Sequence, residues 1–227
     1  TEGSVIIICD NYPAVMILPT GIFDFLQETD DFYFPPLVGT YLRLIRGSII
    51  VLTLLMLPTW FLFQNRPERA PAWLEFMIIE NNAGMPLLMQ ILAAEIAIDG
   101  LKLASLNTPS MLGNSLSVVA GLILSDFAVS AGWFEPAVIL YVAITAIGNF
   151  TQVSYELGYA LKFMRLFMLL AVAIFDIPGY IVSFVLMLVL IATNKGVGGR
   201  CYLYPLFPFN AAAFKRLIIR SKKRGRD

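Results

Sequence analysis

The sequence contains no histidine and only two cysteines, Cys9 and Cys201, among its 227 residues. Without histidine, the chain lacks the usual general base of enzymes and the commonest metal ligand. Two cysteines so far apart in sequence form neither a disulfide framework nor a zinc-binding pattern. A G-x-S-x-G motif and a glycine-rich phosphate loop are also missing. We therefore expect no catalytic residues, no metal site and no cofactor, and we predict that the protein is not an enzyme.

Basic residues are missing from the first 36 positions, which carry six acids, whereas residues 215–227 carry seven basic residues and one acid. The basic tail includes Lys215, Arg216, Lys222, Lys223 and Arg224. Such a cluster next to an apolar region is typical of the anionic, cytoplasmic side of a membrane. We expect the tail to contact lipid headgroups. Nucleic-acid binding is the other interpretation of a basic tail, and the apolar context argues against it.

Apolar residues dominate the rest of the chain. They make up 58% of the sequence, aromatic residues make up 13%, and the mean hydropathy is +0.76. A soluble domain usually has an apolar share of about 45–50%. We therefore predict a mainly α-helical, polytopic membrane domain over residues 37–200. Residues 1–36 are expected to be the end of a soluble cytoplasmic domain with an acidic linker, and residues 201–227 a terminal loop and the basic tail.

The amino-terminal part has the pattern of a β-hairpin. Two runs rich in Val and Ile flank Asp10-Asn11-Tyr12-Pro13, which are turn-forming residues. The first apolar helix then begins near Leu37 and carries Arg43 and Arg46 one turn apart at its start. Arginines at such a position extend to the headgroups. We predict that both contact the lipid interface, either as simple anchors or as an anion or lipid contact.

Residues 111–150 contain no basic residue and only two acids, Asp126 and Glu135. Two apolar runs, 115–131 and 137–150, are joined by the short segment 132–136, which contains Gly and Pro. This pattern predicts two membrane helices joined by a tight turn. On the first helix, Asn114, Ser117, Gly121 and Ser125 share one narrow face at about 100° per residue. This face is either a close helix-packing seam or the lining of a hydrated pore.

The segment 73–103 places three ionisable side chains, Glu95, Asp99 and Lys102, on one helical face. Two carboxylates one turn apart repel each other and are costly against lipid. We predict that Glu95 and Asp99 face water or line a pore. Two alternatives are open, namely an amphipathic helix lying in the membrane interface and a simple pair between Asp99 and Lys102.

The distribution of basic residues favours six membrane crossings. Six crossings place one group of basic positions on the tail's side of the membrane, and only Arg66 and Arg69 lie opposite. That group comprises Arg43, Arg46, Lys102, Lys162 and Arg165. Near the end of the chain, Asp176-Ile177-Pro178-Gly179 interrupts an apolar stretch and predicts either a helical hairpin or one kinked helix over 166–193. With the kinked helix and segment 73–103 in the interface, the alternative is four crossings.

Several motifs resemble one known family. They are DNYPAVMILPTGIFDFLQETDDFY followed by TYLRLIR, then SLSVVAGLILSDFAVSAGWFEPAV, TAIGNF, SYELGYALKFMRL and YLYPLFPFN. Together they resemble the A-subunit family of spore germination receptors, the GerA type, over nearly the whole chain. Cys201 departs from the pattern, because the family usually has Pro there. The resemblance also places Glu95 and Asp99 where the family carries acids.

The resemblance implies an oligomeric ion channel in the inner spore membrane of an endospore-forming bacterium. It implies a homo-oligomer, a pentamer, that works with other germination membrane proteins and releases monovalent cations during germination. Both termini of the chain are expected on the cytoplasmic side. A non-conducting membrane scaffold that assembles germination proteins is the alternative. The small-residue face then only packs helices, and the basic tail only holds the protein at anionic lipid.

Overall fold

The computed structural model describes residues 5–10, 15–18, 21–26, 33–107, 121, 126–152, 154–194, 206 and 210. Within these residues the protein is mainly helical. Two strands come first, β1 (Val5–Ile8) and β2 (Val15–Leu18). The α-helices are α1 (Pro36–Asn65), α2 (Leu87–Asn107), the single turn α3 (Ala128–Ser130), α4 (Pro136–Phe150) and α5 (Tyr155–Thr193). Short 3₁₀ helices cover Ile22–Leu26, Pro67–Arg69 and Ala72–Met77.

The described residues fall into two compact units. One comprises the described residues within Thr1–Ile50, Gln152–Gly158 and Val182–Asp227. The other comprises those within Val51–Thr151 and Tyr159–Ile181. In the first unit β1 and β2 pair in antiparallel fashion, with Val5 opposite Leu18 and Ile8 opposite Val15. The expectation that this pair ends a soluble domain stays a prediction. Arg46 donates a hydrogen bond to the carbonyl of Leu26 at 3.2 Å, so it holds the end of the first 3₁₀ helix.

The second unit has an apolar core built by four helices. Leu57, Trp60 and Phe61 of α1 pack with residues of α2, α4 and α5. The rings of Trp60 and Tyr141 lie with centroids 4.6 Å apart, tilted by 36°. The Trp60 indole donates to the carbonyl of Met77 at 2.9 Å, which satisfies its polar atom. The loop after α1 is thereby held against the core.

Helix α5 is bent sharply at Asp176, which has φ 53° and ψ −129°. Close packing across the bend leaves no room for a side chain at Gly179, because a Cβ there would overlap the carbonyl oxygen of Ala171. Two helical segments, 155–175 and 177–193, meet at this bend, and the first begins well before Leu166. Whether they form a hairpin or one kinked crossing stays a prediction. Pro178 follows the bend, where the helix is already interrupted.

The burial pattern of α5 is inverted relative to that of a soluble protein. Lys162 and Arg165 are 5% and 1% exposed, whereas Phe163 is 67% exposed and Ile174 is 71% exposed. Phe167 and Leu170 lie on the same exposed face at helical spacing. Charged residues are almost never fully buried in soluble proteins unless they are paired. Ionisable residues that face the bundle while apolar residues face outward are typical of membrane helices.

Two helices among the described residues, α1 and α5, are long and apolar enough to cross a membrane, and α4 is a shorter apolar helix. Most of the predicted helix over 115–131 lies outside the described residues. The predicted turn at 132–136 is present, with Gly132 at φ 72° and Glu135 as the residue that precedes α4. Six crossings are therefore not established, and the number of crossings stays a prediction.

Candidate functional site

A network of four charged side chains lies inside the second unit. At its centre is Glu95 of α2, whose Oε1 accepts a hydrogen bond from Arg165 Nη2 at 2.6 Å. The other carboxylate oxygen, Oε2, lies 3.1 Å from Lys162 Nζ. The three side chains are 2–6% exposed. The two basic residues lie three positions apart on α5 and therefore share one face of that helix.

Asp99 completes the network at its more exposed end. Asp99 follows Glu95 by one helical turn, and its Oδ2 lies 2.5 Å from Lys162 Nζ. The Lys162 ammonium thus joins the two carboxylates whose repulsion the sequence predicts. The Asp99 side chain is 37% exposed, against 6% for Glu95. Glu95 and Asp99 do share the predicted face of α2. Their common partner is Lys162 of α5, which the sequence analysis did not assign to them.

Helix α1 contributes backbone to the same network. Arg165 Nη1 donates to the carbonyl oxygen of Thr53 at 3.0 Å. The Thr53 hydroxyl and Arg165 Nε are both buried and have no hydrogen-bond partner in the described part of the chain. One guanidinium therefore connects α1, α2 and α5. Removing a single partner from such a buried ion pair costs about 3–5 kcal/mol, because it leaves an uncompensated charge.

Lys102 lies on the same face of α2, one turn beyond Asp99. Its Nζ is 4.7 Å from the centroid of the Tyr159 ring and 5.6 Å from that of Phe150. A cation held over aromatic rings gains about 0.5–2 kcal/mol, more when it is desolvated. These contacts connect the carboxyl-terminal half of α2 to the end of α4 and the start of α5.

Hydrogen bonds at the opposite end of these helices fix the loop before α2. Glu135 Oε1 accepts from the backbone nitrogens of Asn82 and Ala83 at 2.6 and 2.9 Å. Gln90 is fully buried, and its Oε1 accepts from the backbone nitrogen of Glu135 at 2.8 Å. Its Nε2 donates to Asn81 Oδ1 and to the carbonyl of Met85. Helices α2 and α4 therefore start side by side.

An ion pair joins the end of α1 to the bend of α5. Arg66 Nη2 lies 2.9 Å from Asp176 Oδ2, and both side chains are substantially exposed. The hydrogen bond and the charge of Asp176 raise the pKa of Arg66, which is already far above neutral. Arg66 is one of the two basic residues that six crossings put on the side opposite the basic tail. Its charge is balanced by Asp176.

The remaining predicted site residues fall in different places. Asn114, Ser117 and Ser125 lie outside the described residues, and Gly121 is described and exposed. The basic tail, with Lys215, Arg216, Lys222, Lys223 and Arg224, also lies outside them. Arg43 is buried and Arg46 is half-buried, and their role at the lipid interface stays a prediction. Glu95 is enclosed among helices of its own subunit, and the assignment of Glu95 and Asp99 to a pore lining also stays a prediction.

The structure adds residues that the sequence analysis did not assign to a site. Lys162 and Arg165 entered only as topology markers, yet they bind both acids. Gln90 and Thr53 were not singled out. A lone glutamine in the apolar run LLMQILAA is a detectable signal, because a buried amide needs partners. Within the described part of the chain, no group of three His, Cys, Asp or Glu residues gathers to hold a metal.

Comparison with known proteins decides the family. The model of the Bacillus/Clostridium GerA spore germination protein family matches residues 1–226. The chain belongs to the GerA spore germination protein family. The resemblance carried by the sequence motifs is confirmed.

Individual proteins also match over almost the entire chain. Stage V sporulation protein AF of Bacillus subtilis (strain 168) is 38% identical over 99% of the chain and 45% of its own length. Spore germination protein KA of the same organism is 27% identical over 96% of the chain and 41% of its own length. A third relative, at 23% identity over 97% of the chain and 43% of its own length, is the uncharacterized membrane protein YfkQ of B. subtilis. The chain spans less than half the length of these relatives. No solved structure matches it.

Proposed function

We propose that the protein is the membrane subunit of a spore germination complex and that it forms, as a homo-oligomer, an ion-conducting path for monovalent cations. One observation carries the membrane part of this proposal. Helix α5 faces outward with Phe163, Phe167 and Ile174 while Lys162 and Arg165 are buried. Such a helix is stable where its surroundings are apolar, as in a lipid bilayer.

The charge network supports a role in ion movement. Charged side chains near the middle of a membrane helix are costly in lipid, and such residues commonly mark ion pathways. At about 1.5 Å per residue, Glu95 lies about 12 Å into α2 and Arg165 about 15 Å into α5. Glu95 is therefore near the middle of α2, and Arg165 is near the middle of 155–175, the segment of α5 before the bend. Neither an active site nor a nucleic-acid surface is part of the proposal.

The path itself is assigned to the small polar face of the helix over 115–131. In a symmetric ring one helix of each subunit faces the axis, so the same residues recur around it. Asn114, Ser117, Gly121 and Ser125 are the proposed lining. The family resemblance supports a pentamer that works with other germination membrane proteins in the inner spore membrane.

Six crossings remain the preferred topology. The bend at Asp176 divides α5 into two segments, and the first of them, 155–175, is long enough to cross a bilayer at about 20 residues. The ion pair between Arg66 and Asp176 supports this topology, because it joins the end of α1 to the bend that six crossings put on the same side of the membrane. With this topology the amino-terminal part and the basic tail share the cytoplasmic side.

A non-conducting scaffold is the second candidate, and one observation favours it. Glu95 and Asp99 are both paired with cations inside the subunit. A closed, neutral network can serve to fix the helices and nothing more. In that case the small polar face is a packing seam.

Reconstitution into liposomes with a cation-flux readout tests the proposal. We expect cation flux from the wild-type oligomer, and we expect Ser125→Leu to block it because a bulky side chain closes the path. Ser125→Ala is the matched control and should conduct. If Leu prevents oligomerisation while Ala conducts normally, the face is a packing seam and the path lies elsewhere. No flux from an intact wild-type oligomer supports the scaffold.

A further inference from the structure

Three oxygen atoms surround the ammonium group of Lys162. They are Asp99 Oδ2 at 2.5 Å, Glu95 Oε2 at 3.1 Å and the backbone carbonyl oxygen of Glu95 at 3.2 Å. All three belong to two residues one turn apart on α2. The ammonium is therefore a cation seated in a small cage of oxygens, and its connection to the protein is a flexible four-carbon stem.

Without Lys162, the remaining charges of the network would be balanced by one positive charge. Arg165 binds Glu95 through Oε1, on the oxygen that Lys162 does not contact. If the Lys162 ammonium leaves, Glu95, Asp99 and Arg165 together carry a net charge of minus one. The nearby charge of Lys102, one turn beyond Asp99, is held over the rings of Tyr159 and Phe150. A monovalent cation restores neutrality, whereas a divalent cation leaves an excess positive charge in a low-dielectric interior, which is costly.

We propose that Glu95 and Asp99 form a monovalent-cation site, for an ion such as K⁺ or NH₄⁺, and that the ammonium of Lys162 occupies it in this structure as a tethered ligand. The inference rests on the proposed function, since it names a cation site on the subunit that is proposed to conduct.

The site has one open side. The Asp99 side chain is 37% exposed, whereas those of Glu95 and Lys162 are 6% exposed. A free cation would therefore enter past Asp99, and the ammonium would leave by the same route. Lys102 holds its ammonium over the rings of Tyr159 and Phe150 on this side of α2. It is a second lysine on the same side of the unit and provides a matched control.

The test replaces the tethered cation by a free one. Lys162→Met in the full-length protein, purified in detergent, should be stabilised by KCl or NH₄Cl relative to choline chloride at equal ionic strength. Binding to the folded state alone raises the melting temperature, and we expect a rise on the order of 5 °C at saturating KCl. The wild type and Lys102→Met should show no comparable difference between the salts.

The double variant and the recovery of the protein in each salt also test the site. Adding Asp99→Asn to Lys162→Met should abolish the KCl effect, because the entrance carboxylate is lost. A Lys162→Met protein that melts equally in KCl and choline chloride overturns the site. If the variant cannot be recovered in choline chloride, recovery in KCl supports the site, and failure in both salts contradicts it. The assay measures binding without transport, so a wild-type protein that conducts no ions would overturn the proposed function and leave this result standing.

Discussion

The guanidinium of Arg66 holds the carboxylate of Asp176 at 2.9 Å, and Asp176 is the one described residue other than glycine with a positive φ. Its φ of 53° and ψ of −129° are values that glycine adopts readily and that L-residues with a Cβ avoid. The ion pair therefore lies at a strained backbone position. Asp176 raises the pKa of Arg66 further, and an arginine is protonated over the whole physiological range in any case.

Asp176→Gly should raise the thermal stability of the protein. The replacement relieves a backbone strain of about 1–3 kcal/mol, whereas an exposed ion pair contributes little. Asp176→Asn and Arg66→Gln, which remove the charge pair and keep the strain, should lower the melting temperature slightly and equally. Differential scanning calorimetry in detergent measures all three. A loss of stability in Asp176→Gly as large as that in Asp176→Asn would show that the pair, and not the strain, dominates.

The contact between Arg165 and Glu95 should give a large coupling in a double-mutant cycle. Arg165→Met leaves Glu95 with Lys162 as its one remaining basic partner in the network and should reduce the free energy of unfolding by about 3–5 kcal/mol. Adding Glu95→Gln should recover part of this loss, with a coupling of about 0.5–3 kcal/mol. Phe163→Leu, on the exposed face of the same helix, is the control and should change stability by less than about 1 kcal/mol. Strictly additive losses would argue against the pair.

Glu135 should control the order of the loop before α2. Its carboxylate accepts from the backbone nitrogens of Asn82 and Ala83, and hydrogen bonds to a charged group contribute about 1.5–3 kcal/mol each. Glu135→Ala should therefore speed hydrogen exchange at these two amides by at least about 10-fold. Glu80→Ala removes an exposed acid from the same loop and should leave their exchange unchanged. Equal exchange in the two variants would mean that the loop is held by other contacts.

The sequence predicts the features of this protein that depend on local pattern. The start of α1, the turn before α4 and the break at Asp176 follow from apolar runs and from Gly and Pro. The shared face of Glu95 and Asp99 also follows from helical spacing. Their partner Lys162 does not, because it contacts Glu95 across 67 positions and no periodicity connects two helices. The choice between hairpin and kinked helix at Asp176 likewise depends on tertiary packing around Gly179.

Cysteine labelling in oriented vesicles should separate six crossings from four. Cys9 is exposed, and Thr151 lies exposed between α4 and α5. With six crossings, Thr151→Cys should be labelled from the same side as Cys9, in a Cys201→Ser background. With segment 73–103 in the interface and α5 as one crossing, Thr151→Cys should be labelled from the opposite side. Glu68→Cys, in the exposed Pro67–Arg69 turn, reports the far side in both topologies and serves as the control.

The buried contacts of α2 impose an order on synthesis and membrane insertion. Gln90 meets Glu135 across 45 positions, and Glu95 meets Arg165 across 70. At about 5–20 residues per second, α2 leaves the ribosome several seconds before its basic partners exist. A carboxylate at the centre of a lone helix disfavours insertion by about 2.5–3.5 kcal/mol on translocon scales. In the proposed six-crossing topology, we therefore expect helix α2 to enter the membrane only after α5 has been synthesised and can pair with its carboxylates.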